Sequence, residues 1–226
     1  MPTPPLAARG LLLDMDGTLV NSDAVVERVW RRWAADKGLD ADEVLRVAHG
    51  RQGHATMAEL LPGRPAEVNA AENEAMLAQE TSDVEGVVPV PGAHAFMAAI
   101  EPLPHALVTS ADTALAAARM GAAGVRMPRL RVTAENVSAS KPDPEGFLKG
   151  AAELGFAPAD CVAFEDSGAG IAAALAAGMR VVGVGPRAGD HGPTVHVRDL
   201  TGIRVEELPD GAGIRLHFAE TATATA

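Results

Sequence analysis

Asp14 and Asp16 stand two residues apart in LLLDMDGTLV, directly after three leucines. Side chains at i and i+2 of a strand face the same way, so both carboxylates can reach one site where the extended path continues. Carboxylates are costly to bury alone, so a cation, a proton or a substrate must meet them there. Taken by itself the phrase also reads as an acidic turn, since Asp-Gly is frequent in turns. Three further polar stations follow other apolar runs. Thr109 and Ser110 close ALVTS, where a hydroxyl either donates to a phosphate oxygen or caps the next helix. Lys141 opens KPDPEGF, and the plain reading there is a solvated turn lysine. Glu165 and Asp166 follow VAF, and with Ser167 they also read as simple capping of GAGIAAALAAG.

The elements that must position these residues are short apolar runs ending in polar or small residues: LLLD, ALVTS, LRVT, VAFED and RVVGVG. Between most of them lie alanine-rich helical stretches such as DTALAAARMGAA and PEGFLKGAAELG. Buried strands alternating with helices predict an α/β fold with a parallel sheet covered on both faces. Ligands of such sheets collect at the carboxyl ends of the strands, where the polar stations lie. One interval breaks the alternation. From Asn21 to about Val84 the chain reads as helices over 22–38, 40–49, 53–61 and 65–82, with Val25, Val29, Trp30 and Trp33 forming an apolar stripe. The expected layout is therefore a Rossmann-like core, residues 1–20 and 85–226, with an all-helical insertion, residues 21–84, after its first strand. Residues 185–190 read as a loop, a short strand follows near 194–197, and a hairpin flanks DGAG. The low-complexity end, residues 220–226, is expected to be disordered.

Composition narrows the class. Nineteen basic against 30 acidic residues leave a net charge of −11, which argues against nucleic acid or an anionic membrane as the main partner. A few local cations can still dominate a pocket for an anionic substrate. The single cysteine, Cys161, rules out an internal disulfide framework and reads as a small buried hydrophobe. No run approaches the roughly 20 apolar residues of a membrane span, and MPTPPLAARG lacks the regions of a secretory signal. A soluble, cytoplasmic monomer is the expectation.

Taken together, DMDGT, the Thr109 strand end, Lys141 and the EDS beginning at Glu165 resemble the four motifs of the haloacid dehalogenase superfamily of phosphohydrolases. Order, strand context and the gap for a helical cap all match, from Leu11 to about Val184. The resemblance implies Mg2+ as cofactor and Asp14 as a nucleophile that forms an aspartyl-phosphate. Asp16 would protonate the leaving alkoxide and later take a proton from water. The metal would be held by Asp14, the main-chain carbonyl of Asp16 and Asp166, with Glu165 in or near the set. Thr109, Ser110 and Lys141 would hold the phosphoryl oxygens.

The insertion between the first two motifs marks the helical-cap branch. HGRQGHATMAEL, from His49, resembles the cap loop of sugar-phosphate and polyol-phosphate phosphatases of the glycerol-3-phosphate and 2-deoxyglucose-6-phosphate type. His49, Gly50 and Arg51 are the substrate-facing candidates, and Arg51 reads equally as a surface arginine. His49 and His54, five apart, make a poor metal pair. Dehalogenases proper lack the second aspartate, so Asp16 disfavours them. Phosphonatases use a cap lysine, and only Lys37 is offered, in DKG. Beta-phosphoglucomutase carries a histidine on the first cap helix where this chain has Val26, which favours hydrolysis over phosphoryl transfer to a sugar. A catalytically silent binding protein on the same fold is the reading from another class; it would be expected to lose Asp14, Asp16 or Lys141, and all are present. The expected partner is a small phosphorylated metabolite.

Overall fold

A computed structural model describes residues 3–219 and 222–224. The chain opens with β1 (Leu6–Ala8) and β2 (Gly10–Leu13), and every residue of β2 is buried. A two-residue strand, β3 (Val20–Asn21), leads into four helices: α1 (Asp23–Lys37), α2 (Ala41–Ala48), α3 (Gly53–Leu60) and α4 (Ala66–Ser82). Strand β4 (Val88–Pro89) pairs antiparallel with β3, so the chain leaves and re-enters the sheet region side by side. The alternation then resumes with α5 (Ala93–Ile100), β5 (His105–Val108), α6 (Thr113–Ala122) and β6 (Leu130–Val132). It continues through α7 (Glu145–Leu154), β7 (Cys161–Glu165), α8 (Gly168–Ala176), β8 (Arg180–Val184) and β9 (Val195–Val197). Strands β10 (Ile203–Leu208), β11 (Gly213–Phe218) and β12 (Thr223–Ala224) complete the chain.

The main sheet has seven strands in the order β12-β9-β8-β7-β2-β5-β6, parallel throughout except for the antiparallel edge strand β12. Successive side chains of a strand face opposite sides, and the core divides accordingly. Leu11, Leu13, Leu107 and Phe164 pack with Phe96 of α5 on one face. Leu12, Ala106, Val108 and Ala163 pack with Phe147 of α7 and Ile171 of α8 on the other. Each fully buried leucine or phenylalanine contributes about 1.5–3 kcal/mol. The run of three leucines thus serves both faces of the sheet and fixes the direction in which the chain delivers Asp14.

The four helices carry an apolar cluster of their own. Trp30, Trp33 and Ala34 of α1 pack with Val44, Leu45 and Ala48 of α2 and Met57 of α3. The two indoles meet edge to face at 5.4 Å. Asp40 caps α2 by accepting from the Glu43 amide, and Gly38 ends α1 in the left-handed conformation. Polar contacts fasten α4: Glu72 accepts from the Trp33 indole at 2.8 Å, from Lys37 at 2.7 Å and from Arg64 at 2.6 Å. Lys37 is therefore spent on an ion pair with Glu72.

Strand β1 was not expected, and two stretches differ from the expectation. The helices follow the first strand of the main sheet, β2, as expected; β1 precedes it and joins a separate three-stranded antiparallel sheet, β1-β11-β10. The predicted hairpin around DGAG is β10 and β11 of that sheet. Residues 186–191 form a 3-10 turn, opened by Pro186, within the stretch expected to be loop. In the tail expected to be disordered, Thr223 and Ala224 pair with His196 and Val195 of β9. Alternating threonine and alanine suit an edge strand, since a β-branched residue sits well on a pleated surface. Residues 220–221 and 225–226 of that tail lie outside the described residues.

Candidate active site

Strands β7, β2 and β5 are adjacent and parallel, so Asp14, Thr109 and Glu165–Asp166 emerge at one end of the sheet. Lys141, from the segment between β6 and α7, reaches under them. Its Nζ donates to Asp14 Oδ1 and Glu165 Oε1, each at 2.6 Å, and to the Val108 carbonyl at 3.2 Å. All three donors of the ammonium are thereby used. Lys141 is buried, which excludes the plain alternative of a solvated turn lysine. Burial alone would lower its pKa, but Asp14 and Glu165 beside it raise it above the ordinary lysine range. Removing one member of such a buried pair leaves an uncompensated charge and costs about 3–5 kcal/mol.

The carboxylates of Asp14, Glu165 and Asp166 offer oxygens within 4.8 Å of one another. Burial, then the Glu165 charge, raises the pKa of Asp14 well above its ordinary value, and the same two causes push Asp166 up to about 7. Glu165 is fully committed: Oε1 takes Lys141, and Oε2 takes the amides of Asp166 and Ser167 and the Ser167 hydroxyl. It braces the start of α8 and Lys141. Asp14 and Asp166 are the carboxylates turned toward the cavity.

Asp16 stands apart from that cluster. Its Oδ1 accepts from Ser22 Oγ at 2.6 Å and its Oδ2 from Arg119 Nη1 at 2.8 Å. Ser22 occupies the cap position of α1, yet its hydroxyl makes no capping bond and serves Asp16 instead. The Asp16 side chain thus lies outside the carboxylate cluster, in keeping with an expected metal contact through its main-chain carbonyl alone. Gly17, the glycine of DMDGT, has φ +80°, and a Cβ there would collide with the Asp166 carboxylate and Arg187.

The loop between α2 and α3 lies over this floor. Ser110 Oγ donates to the Gly50 carbonyl and the Gln52 amide donates to Ser140 Oγ, both at 2.8 Å. Ser110 therefore grips the helical layer, while Thr109 Oγ1, accepting from the Ala111 amide, borders the cavity. His49 and Arg51 also line the cavity, and Arg51 pairs with Glu59 of α3. Burial, with Arg187 nearby, lowers the His49 pKa and keeps the ring neutral. His54 is exposed and takes no part in the lining. The enclosed cavity is about 90 Å³, with Val26 and Trp30 of α1 and Met76 and Leu77 of α4 as apolar walls.

Two arginines escaped the sequence reading. Arg187 donates through Nε and Nη2 to Asp166 Oδ2, and through Nη1 to both oxygens of Asp23 at the start of α1. Nothing in GPRAGD announces it. Arg119 on α6 is buried between Asp16 and Glu80 of α4. A signal existed: it is the lone charge within α6 itself, TALAAARMGA, three and four residues from the buried Ala116 and Leu115, on the apolar face.

A carboxylate held by a buried cation, a second carboxylate nearby and a roofed cavity suit covalent phosphoryl transfer. Comparison with known proteins gives the family. A family model described as haloacid dehalogenase-like hydrolase matches residues 8–178. Hexitol phosphatase A of Escherichia coli (strain K12) is 38% identical over 213 residues, 91% of this chain and 98% of that protein. Glycerol-1-phosphate phosphohydrolase 2 of Saccharomyces cerevisiae (strain ATCC 204508 / S288c) is 33% identical over 192 residues, 79% of this chain and 75% of that protein. Among solved structures, beta-phosphoglucomutase from Clostridium difficile is similar with a TM-score of 0.70, over 86% of this chain and 92% of that one; at 19% identity it speaks for the fold alone.

Proposed function

The chain belongs to the haloacid dehalogenase-like hydrolase family, and on that premise we propose that it is a magnesium-dependent phosphatase of a small sugar or polyol phosphate, working through an aspartyl-phosphate. The observation that carries the reading is Asp14, fixed by Lys141 through Oδ1 on the floor of a cavity roofed by α1–α4. We read these helices as a cap. Oδ2 of Asp14 attacks phosphorus, and the bond from phosphorus to the ester oxygen breaks. Asp16, entering protonated, gives its proton to that oxygen and the alcohol leaves. Water then attacks the phosphorus of the aspartyl-phosphate, Asp16 takes back a proton, the bond from phosphorus to Asp14 Oδ2 breaks to restore the carboxylate, and inorganic phosphate departs.

The donor set fits a hard divalent cation: Asp14 and Asp166 would hold it together with the main-chain carbonyl of Asp16. Their crowding and raised pKa values are what a missing positive charge would relieve. When bound, the ion offsets the repulsion between the attacking carboxylate and the phosphoryl oxygens. Arg187 occupies Asp166 in the structure and would yield that oxygen. Lys141 keeps Asp14 oriented, and Thr109 stands beside the phosphoryl position. The sugar or polyol substrate is supported by the activities named for the two relatives.

The test is a panel of hexitol phosphates, glycerol phosphates and 2-deoxyglucose 6-phosphate, followed by phosphate release with magnesium and with EDTA. Release from at least one of these esters, lost in EDTA and restored by magnesium, is expected. Asp14→Asn should lower kcat by at least about 10⁴-fold, since the amide is no nucleophile. Turnover unchanged by EDTA, or by the substitution, would overturn the mechanism.

A further inference from the structure

Helix α4 is unusual in what it hides. Its buried residues are Asn69 and Glu80, both polar, whereas α1 and α2 bury apolar side chains. Toward the cavity α4 presents Asn73, Met76, Leu77 and Glu80, at the spacing of one helical face. Met76 and Leu77 oppose Val26 and Trp30 to form an apolar slot, and Glu80 closes one end of it against Arg119 of α6.

The Glu80–Arg119 pair is incompletely satisfied. Arg119 Nη1 is bound to Asp16, but Nη2, 3.1 Å from Glu80 Oε2, makes no well-formed hydrogen bond, and Nε has no acceptor among the described residues. The side chains are 4% and 9% exposed. Burial pushes the Glu80 carboxyl up to about 7 against the pull of Arg119. Such a pair is expensive to bury for stability alone. Both members line the cavity, and both have capacity left for a ligand.

Accepting the phosphatase reading above, we propose that Glu80 and Arg119 form the subsite for a substrate hydroxyl on the carbon next to the ester carbon. The position follows from Asp16. That carboxylate serves the ester oxygen, and Arg119 is hydrogen-bonded to it. The next group along the substrate that can meet Arg119 lies on the neighbouring carbon. A hydroxyl there donates to Glu80 and accepts from Arg119, completing both. The apolar slot takes the carbon chain. The substrate class is thus a phosphate ester with a vicinal hydroxyl, and an ester lacking it leaves the pair unpaired.

The test compares glycerol 3-phosphate with propane-1,3-diol monophosphate, which lacks only the adjacent hydroxyl, with p-nitrophenyl phosphate as reference for the reacting centre. The unmodified protein should prefer the glycerol ester in kcat/KM by about 10²-fold. Glu80→Gln, which keeps the volume, should bring that ratio below about tenfold by slowing the glycerol ester. Should that variant fail to fold, Arg119→Lys must narrow the same ratio, since one amine cannot serve Asp16 and the hydroxyl together. A purely structural role would slow all three esters alike. Turnover of p-nitrophenyl phosphate with equal or no turnover of the two glycerol-type esters, or an unchanged ratio in the variants, overturns the subsite. Absence of turnover on every ester overturns the phosphatase reading instead.

Discussion

Gly50 carries a heavy steric constraint for a residue without a side chain. Its φ is +79°, and a Cβ there would run into the Ser167 side chain at the start of α8. Alanine would incur about 1–2 kcal/mol of backbone strain and also push the α2–α3 loop off the sheet. We therefore expect Gly50→Ala to lower kcat/KM by tenfold or more, because the Ser110 and Gln52 contacts go with it; an unchanged kcat/KM at full occupancy of folded protein would refute the loop's role. Single residues were readable from the sequence where polarity breaks an apolar run. Asp14, Glu165 and Asp166 announce themselves in this way, and the structure assembles them with Lys141. Arg187 does not, since Asp23 lies 164 positions away, and Arg119 shows only as a charge on an apolar helix face, with nothing local to name Asp16, 103 positions off, as its partner. Pairing across such separations leaves no local pattern.

Periodicity governs what can be read of the elements. The four helices from α1 to α4 fall within a residue or two of their expected bounds, because apolar stripes and caps are local signals. Strand β1 was missed for the converse reason: it has three residues and pairs with β11, more than 200 positions away. The helical layer is also held by the polar cluster around Glu72, whose carboxyl is lowered to about 2, first by Arg64, against a desolvation cost, and then by Lys37 and Trp33. A group lowered on folding stabilises fully above its unfolded pKa, near 4.5, and loses that contribution as pH falls through about 2. Glu72→Gln should cost about 1 kcal/mol at neutral pH and flatten the acid limb of stability between pH 4.5 and 2. Denaturant midpoints by circular dichroism measure this, and parallel curves for both proteins would contradict it.

For the whole molecule, the open question is which acceptor takes the phosphoryl group. The fold is shared with a mutase, so the sheet cannot decide between water and sugar. On the reading proposed above the wall formed by α1 does: Val26 lines the cavity, and a valine makes no hydrogen bond to an acceptor sugar. Incubation with β-glucose 1-phosphate and a hexose bisphosphate should accordingly yield free phosphate in step with any substrate consumed. Accumulation of glucose 6-phosphate without phosphate release would reverse the assignment. The α/β class and the helical insertion were both legible in the alternation of strands and helices. The third layer, in which β1 joins the ends of the chain, was not, since only the folded molecule brings those segments together.

The placement of the two tryptophans has an optical consequence. Both lie on α1, and the chain has no tyrosine. Its indole emission therefore originates in a single helix, with no background from the sheet. Trp30 borders the cavity and Trp33 is hydrogen-bonded to Glu72, so one fluorophore looks inward at whatever enters and the other outward at the fastening of α4. The unlabelled protein is its own spectroscopic gauge of the helical layer and the cavity it roofs.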